Sequence, residues 1–336
     1  MKVRMLSRNP SEYRRETSDD VFKIPRNYSQ EEHPFASERE YVRAMNAAKI
    51  QRIMAKPFIG ALEGTTERMT SISLNSETLG LAVFGTADGK IQYWDIALRK
   101  RIFETQAHGS EIRGICHTNK SRFMYTVKMD LKLNSFSWNP MEPFIFTAAS
   151  EDYNVYTYDT RYFKFPRRVY RGHTNAVLDV DYSPSGREFV TGSYDSTVRL
   201  WDCNRAESFD VYHSRRMKRV LSVRFTLDTK FILTSSSDQN VRVWKAHASE
   251  KIGPVQPREK SSINAADALR DKFRDHPEVK KILKRRHLPK SIYAASHEHA
   301  IIRSKLRRKE RNIRVFNKKD IPFVPEKDKH TVAQYK

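Results

Sequence analysis

Residues 192–202 read Gly-Ser-Tyr-Asp-Ser-Thr-Val-Arg-Leu-Trp-Asp, and similar stretches occur at 85–95, 149–159 and 235–245 of the 336-residue chain. In each stretch a Ser or Thr precedes an Asp by two residues, and an aromatic residue follows that Asp by six. The last three of these aromatic residues, Tyr158, Trp201 and Trp244, lie 43 positions apart. A fixed period of this length indicates a repeat protein.

Each copy predicts a strand, a tight turn and a second strand. The Asp belongs in the turn, where its carboxylate can accept backbone N–H bonds. The alternating apolar residues Val198 and Leu200 predict the strand that follows the turn. Upstream of the best copy lie Gly172-His173 and a further alternating stretch, Val177-Leu-Asp-Val-Asp-Tyr182. Units of this kind form the blades of an all-β propeller.

With Gly-His near its start and Trp-Asp at its end, this unit resembles the WD-repeat family. The resemblance implies a buried hydrogen-bonded tetrad of His173, Ser193, Asp195 and Trp201 that holds the blade together. The corresponding residues of the first and last copies are Thr86, Asp88, Trp94, Ser236, Asp238 and Trp244. We therefore interpret His173 as a structural residue and not as a metal ligand or a catalytic base.

The number of repeats does not fit a complete ring. Residues 57–247 supply about four to five recognisable blades, whereas members of that family usually close with about seven. Asp95 and Asp159 are 64 positions apart, which is neither one period nor two. Residues 122–126 resemble the middle of one repeat, and residues 131–138 the start of another. We expect the pattern to break near 120–135, with about two blades absent near 127–129 through splice variation, gene-model error or real reduction.

The flanks of the propeller are predicted to be helical. In the N-terminal extension, residues 1–56, the capping box Ser37-x-x-Glu40 predicts a helix at about 38–54. Residues 58–62 are our candidate for the strand that closes the last blade. The C-terminal region, 248–336, is predicted to contain three helices, the last at 291–314. Residues 280–319 hold 15 Lys or Arg and two Glu, so this sequence must lie against the propeller or RNA.

The charge is concentrated in that C-terminal region. The chain carries a formal net charge of +22, to which residues 251–336 contribute 24 Lys or Arg against 10 Asp or Glu. A basic tail on a nearly neutral body predicts a nucleic acid or an acidic protein as partner. Candidate contacts to phosphates are Lys284, Arg285, Arg286, Arg307, Arg308 and Lys309.

Several stretches are similar to the WD repeat and Sof-domain-containing protein family. They are residues 40–46, 55–62, 138–149, 177–184 and 286–293. The resemblance implies a nucleolar, and therefore nuclear, factor of the small-subunit processome that acts in pre-rRNA processing. The implied partners are proteins of the pre-ribosomal particle, the box C/D small nucleolar RNP, and pre-rRNA or small nucleolar RNA.

A second function remains open. Asp159-Thr160-Arg161 closes a blade as Asp-x-Arg, the short signature of WD proteins that serve as substrate receptors of cullin-RING ubiquitin ligases. Some members of the family it resembles are assigned this role. The other interpretation is an ordinary arginine on the propeller surface.

The residue patterns that could indicate a catalytic or metal site in this sequence lack the spacing that such sites require. His297-Glu-His299 lacks the four-residue separation that places two imidazoles on one helix face for zinc. Cys116 and Cys203 form no Cys-x-x-Cys pair, and their small number indicates a reducing compartment. The sequence has no phosphate-binding Gly-rich loop, no nucleophile elbow and no run of about 18 apolar residues. We therefore predict a non-enzymatic scaffold without cofactor, metal, membrane or small-molecule substrate.

Overall fold

The computed structural model describes residues 35–63, 67–74, 79–112, 115, 126–129, 132–162, 165–317, 322–325, 329 and 331–335. Cys116 and positions 122–125 of the predicted strand lie outside the described residues. The chain divides into two compact units. Of the described residues, one unit comprises those up to Ala48 together with Gln256–Lys280, and the other comprises Lys49–Val255 together with those from Lys281 onward.

The strands form four blades, which we name A to D. Helix α1 (Ala36–Arg52) precedes strand β1 (Phe58–Leu62). Blade A contains β2 (Met69–Leu74), β3 (Leu81–Thr86), β4 (Lys90–Asp95) and β5 (Lys100–Gln106). After β6 (Thr126–Met129), blade B contains β7 (Leu133–Trp138), β8 (Ile145–Ser150), β9 (Asn154–Asp159) and β10 (Arg168–Arg171). Blade C contains β11 (Val177–Tyr182), β12 (Glu188–Ser193), β13 (Val198–Asp202) and β14 (Ser208–Tyr212). Blade D contains β15 (Val220–Phe225), β16 (Phe231–Ser236) and β17 (Val241–Lys245), with β1 as its fourth strand.

The repeated motif makes the same tight turn in every blade. The residue after the motif Asp has a positive φ in all four copies: 81° at Gly89, 70° at Tyr153, 63° at Ser196 and 68° at Gln239. Three of these residues carry side chains, for which the left-handed region is uncommon. In blade C the Asp195 side chain supports the turn by accepting the backbone N–H of Thr197 at 2.9 Å. The predicted position of the Asp in a turn is confirmed.

The N-terminal strand closes the last blade, as predicted. Strand β1 pairs antiparallel with β17, with Leu62 opposite Val241. The innermost strands of the blades pack in series: β7 lies against β11, β11 against β15 and β15 against β2. The blades therefore follow one another in the order B, C, D, A, and apolar cores fill the three junctions.

Between blades A and B the pattern breaks near the predicted position. Strand β6 pairs with the C-terminal strand β18 (Thr331–Tyr335) in a two-stranded sheet outside the four blades. Blade B starts with β7, so residues 133–138 open a new repeat, and position 131 of the predicted start lies outside the described residues. Within the described residues the propeller is open and has four blades, in agreement with the predicted four to five.

Helices flank the blades at both ends of the chain. Helix α1 begins at Ala36, so Ser37 lies inside the helix and is not its N-cap. The predicted capping box is wrong, because the Ser37 hydroxyl bonds to Glu38 at 3.0 Å. The C-terminal region contains α2 (Pro257–Lys272), α3 (Pro277–Leu283) and α4 (Lys290–Phe316). Of the residues of α4, Ile292 is the one that is buried.

The helical unit joins the N-terminal and C-terminal flanks. The Tyr41 ring lies 6.0 Å from that of Phe273 and 4.4 Å from that of His276. Its hydroxyl donates a hydrogen bond to Glu278. Ala44 and Val279 are fully buried in the same unit. Residues more than 200 positions apart in sequence therefore fold together.

Candidate partner-binding surfaces

A buried hydrogen-bond network holds blade C together. His173 Nδ1 lies 3.0 Å from Asp195 Oδ2, and His173 Nε2 lies 2.7 Å from Thr191 Oγ1. Trp201 Nε1 donates to the same Thr191 hydroxyl at 2.8 Å. The Ser193 hydroxyl instead donates to the carbonyl of Ala176 at 2.8 Å. The predicted tetrad with Ser193 is therefore wrong in that member, and Thr191 supplies the hydroxyl.

The protonation states in this network are fixed by burial and by the pairing of its members. Burial lowers the pKa of His173, although Asp195 opposes the shift. Burial also acts to raise the pKa of Asp195, but His173 and Thr197 together hold it well below its usual range. A neutral imidazole then donates from Nδ1 to Asp195 and accepts at Nε2 from Thr191. Both ring nitrogens of His173 are thus engaged inside the blade.

The other blades show which residue determines this arrangement. In blade D, Trp244 Nε1 donates to Thr234 Oγ1 at 2.8 Å, and both Thr234 and Thr191 precede their Trp by ten residues. Phe84 stands at that position in blade A, and there Trp94 Nε1 donates to Gln92 Oε1 at 3.1 Å. A Thr ten residues before the Trp was the available sequence signal.

The remaining predicted members of the tetrads serve the turns and edges of their blades. Thr86 Oγ1 bonds the backbone of Lys90 at 3.1 Å, and Ser236 Oγ accepts the N–H of Lys218 at 3.1 Å. Asp238 forms an ion pair with Arg242, and Asp88 accepts a bond from the Gln106 side chain at its backbone carbonyl. The bonds of these residues lie within their own blades.

The Asp-x-Arg motif forms a preorganised surface arginine. Arg161 donates from Nε and Nη2 to the two carboxylate oxygens of Asp159 at 3.0 and 2.8 Å. This hydrogen bonding lowers the pKa of Asp159. The guanidinium also lies 5.0 Å from the centre of the Phe144 ring, and its side chain remains 66% exposed. Arg161 is therefore held in one orientation and stays accessible to a partner.

The six candidate cations of the C-terminal region separate into two groups. Lys284, Arg285, Arg307, Arg308 and Lys309 are exposed. Arg286 is half-buried and donates from Nε and Nη2 to the backbone carbonyl of Ser208 at 3.3 and 3.1 Å. Burial lowers the pKa of Arg286, and the nearby Arg52 lowers it further. Arg286 therefore anchors the chain to the outer strand of blade C, and we no longer place it among the phosphate contacts.

Arg286 shares its surroundings with an ion pair at the end of α1. Arg52 Nη1 lies 2.6 Å from Asp210 Oδ1 and 3.0 Å from the carbonyl of Phe209. A cavity of about 250 Å³ is lined by residues that include Arg52, Asp210, Arg286 and His287. The cavity marks where the start of the basic segment is fixed on β14.

Among the described residues, no three His, Cys, Asp or Glu side chains gather as a metal site would require. In the same part of the chain, none of the helices is both long and apolar enough to cross a membrane.

Comparison with known proteins places these features in a family. The Sof1-like domain matches residues 246–331, and the WD domain, G-beta repeat matches 164–202 and 211–245. Along its whole length the chain is 34% identical to human DDB1- and CUL4-associated factor 13, with 100% of each chain covered.

The chain belongs to the WD-repeat Sof1 family. It is also 33% identical to DDB1- and CUL4-associated factor 13 of Xenopus tropicalis, over 99% of each chain. Yeast Protein SOF1 is 27% identical, over 99% of this chain and 95% of the relative. The first WD match covers β10–β13, and the second covers the end of β14 together with β15–β17. These are mainly blades C and D, in which a Thr hydroxyl accepts the Trp N–H bond. Blades A and B have lost that pair.

The lengths of the relatives bear on the missing blades. The alignment with the Xenopus tropicalis relative runs over 442 positions, although this chain has 336 residues. More than one hundred positions of that relative therefore have no counterpart here. Two repeats of 43 residues fit within that difference, which supports our interpretation that this chain lacks about two blades.

Proposed function

We propose that this protein is a non-enzymatic scaffold in ribosome biogenesis, acting in the nucleolus as part of the small-subunit processome during pre-rRNA processing. Its family membership supports this proposal, and one structural observation carries it: helix α4 leaves most of its side chains exposed. A 27-residue helix that buries one residue does not contribute a core of its own. It is suited to lying along another molecule of the same particle.

The charge of α4 favours RNA as that molecule. Arg303, Arg307, Arg311 and Arg314 are spaced by four, four and three residues, so they lie along one side of the helix. A helix of this length spans about 40 Å and can meet several successive phosphates. Such contacts supply affinity and position without reading the base sequence. The blades are then left to hold protein neighbours, including those of the small nucleolar RNP.

Depleting the protein from cells should cause unprocessed precursor of the small-subunit rRNA to accumulate. A scaffold of the particle is needed in stoichiometric amounts, so mature small-subunit rRNA should fall while large-subunit rRNA changes less. Northern blotting of both precursors measures this. Restoring the chain should restore processing, and normal precursor levels after full depletion would overturn the assignment to ribosome assembly.

Substrate recruitment to a cullin-RING ubiquitin ligase is a second candidate function. Two relatives are named for association with DDB1 and CUL4. The observation that favours it here is the exposed Arg161, fixed in place by both oxygens of Asp159. A rigid guanidinium loses less entropy on binding, which suits it to a docking motif.

Arg161→Ala should abolish co-purification of DDB1 without affecting assembly into ribosomal particles. The matched control is Arg205→Ala in blade C, because Arg205 is similarly exposed but pairs with Asp202 at a longer 3.7 Å and has the wrong spacing. Affinity purification followed by immunoblotting compares the two variants. Equal DDB1 recovery from wild type and Arg161→Ala would remove this candidate.

A further inference from the structure

The three internal junctions show how one blade packs on the next. The strand registers place four residues at one site of the innermost strand, namely Ile72 in blade A, Phe136 in B, Val180 in C and Val223 in D. Val180 packs into the core shared with blade B, Val223 into the core shared with C, and Ile72 into the core shared with D. At this site, therefore, blades A, C and D each pack on the blade before them. We call the side of a blade that faces the preceding blade its front face, and the side that faces the following blade its back face.

Blade B departs from this rule. Val180 and Val223 are 0% exposed and Ile72 is 1% exposed, but Phe136 is 65% exposed. A large aromatic side chain therefore stands in the open at a site that the other three blades bury completely. Burying such a side chain is favourable, because it removes a large apolar surface from water. The front face of blade B is built for a junction that no blade of the described chain provides.

Blade A shows the complementary departure on its back face. The site of Leu200 in blade C and Val243 in blade D corresponds to Tyr93 in blade A. Leu200 and Val243, which pack on the blade after them, are 0% and 4% exposed, whereas Tyr93 is 39% exposed. Phe103 lies beside it, with ring centres 6.1 Å apart, and is 57% exposed. Blade A thus presents an aromatic back face.

We propose that two copies of this chain associate, with the back face of blade A in each copy packing on the front face of blade B in the other. These are the two kinds of face that meet at every internal junction, so the contact repeats a packing the chain already uses three times. The two new junctions are equivalent by two-fold symmetry, so the contact closes and does not propagate into a fibre. Four blades from each copy make a ring of eight, within the usual range of propellers.

The two exposed faces also favour a second copy of this chain as the molecule that covers them. The aligned relative has more than one hundred positions for which this chain has no sequence, which is enough for two further blades. Another propeller blade is the shape that both faces fit. A second copy of this chain offers both faces at once. This inference concerns assembly and is independent of the proposed role in ribosome biogenesis.

Light scattering of the purified, nuclease-treated full chain should give the mass of two 39.4 kDa chains. Phe103→Asp and Phe136→Asp should each yield monomers, since each change places a charge in both junctions. Tyr293→Asp is the control, because Tyr293 is 66% exposed and lies on α4, outside the strands that form blades A and B. This variant should remain dimeric. Circular dichroism melting of all three variants verifies that they are folded.

Mixing the two monomeric variants provides the sharper test. In a mixed pair, one junction carries both charges and the other consists of two unaltered faces. Dimers should therefore reappear in the mixture of Phe103→Asp with Phe136→Asp, although neither variant dimerises alone. A misfolded variant cannot produce this rescue. If the mixture stays monomeric while both variants are folded, the proposed pairing of A with B is wrong.

Salt provides a second criterion. Both copies are strongly cationic, so screening should tighten an apolar contact between them. A wild-type chain that is monomeric, or a dimer that dissociates as salt rises or nuclease is added, would overturn the proposal. RNA binding through α4 should persist in both face variants, so a failed dimer and a failed RNA interaction are distinguishable.

Discussion

Trp201→Ala should lower the free energy of unfolding by roughly 3–5 kcal/mol, as truncation of a large buried aromatic side chain does. The side chain is fully buried, and its ring packs on those of Tyr170 and Phe189 at 5.6 and 6.2 Å. Alanine removes both the apolar contacts and the indole N–H bond to Thr191. Urea unfolding followed by circular dichroism measures this loss of stability, because the signal does not depend on the fluorescence of the removed Trp201.

Two companion variants separate the packing of Trp201 from its hydrogen bond. Thr191→Val keeps the volume of the side chain but leaves His173 and Trp201 without their shared hydroxyl, at a cost of about 1–3 kcal/mol. Ser193→Ala removes a bond in the turn and should cost about 1 kcal/mol. An unchanged midpoint for Trp201→Ala, or a larger loss from Ser193→Ala than from Thr191→Val, would contradict the network described for blade C.

The sequence predicted what local patterns determine. The spacing from the motif Asp to the blade aromatic fixes a turn and the strand after it, and all four copies fold that way. The closure of blade D by β1 was also predictable, because a ring needs a partner for its last edge strand. The break near 126–129 followed from an interval that did not fit the period.

What the sequence could not determine depends on contacts between strands. Ser193 belongs to the visible motif, but its hydroxyl serves the turn, and the network uses Thr191 two residues earlier. That choice depends on how β12 lies against β13, where Phe189 is opposite Trp201. The exposed aromatic faces of blades A and B were hidden for the same reason, since Phe136 looks like any core residue of a strand.

The distribution of charge along the sequence also predicts only part of the structure. The density of Lys and Arg predicted an exposed helix, and α4 is exposed. It did not reveal that Arg286 binds the carbonyl of Ser208, because that carbonyl lies 78 positions away in sequence. A cation that bonds a blade edge contributes to the fold, so replacing it would confuse loss of structure with loss of RNA binding.

Replacing Lys284, Arg285, Arg307, Arg308 and Lys309 by Gln should weaken RNA binding strongly while leaving the blades intact. Each neutralised phosphate releases counterions, so binding of the wild-type chain should fall steeply with salt. Removing five such contacts should reduce the slope of log K against log salt by about 4. Filter binding of the full chain to structured RNA over a range of salt concentrations measures both quantities, and base sequence should have little effect.

The matched control removes the same charge from the blades. Lys100, Arg215, Arg216, Lys218 and Lys230 are exposed there, and changing them to Gln alters the net charge equally. If the basic C-terminal segment lies along pre-rRNA, cells whose sole copy carries the five-residue C-terminal variant should accumulate unprocessed small-subunit precursor, and cells with the blade variant should not. Equal effects of the two variants would mean that overall charge matters and not its position in the C-terminal region. Normal small-subunit rRNA with the C-terminal variant would show that these cations serve solubility alone, because the blades, the Arg286 anchor and every buried contact remain in place in that variant.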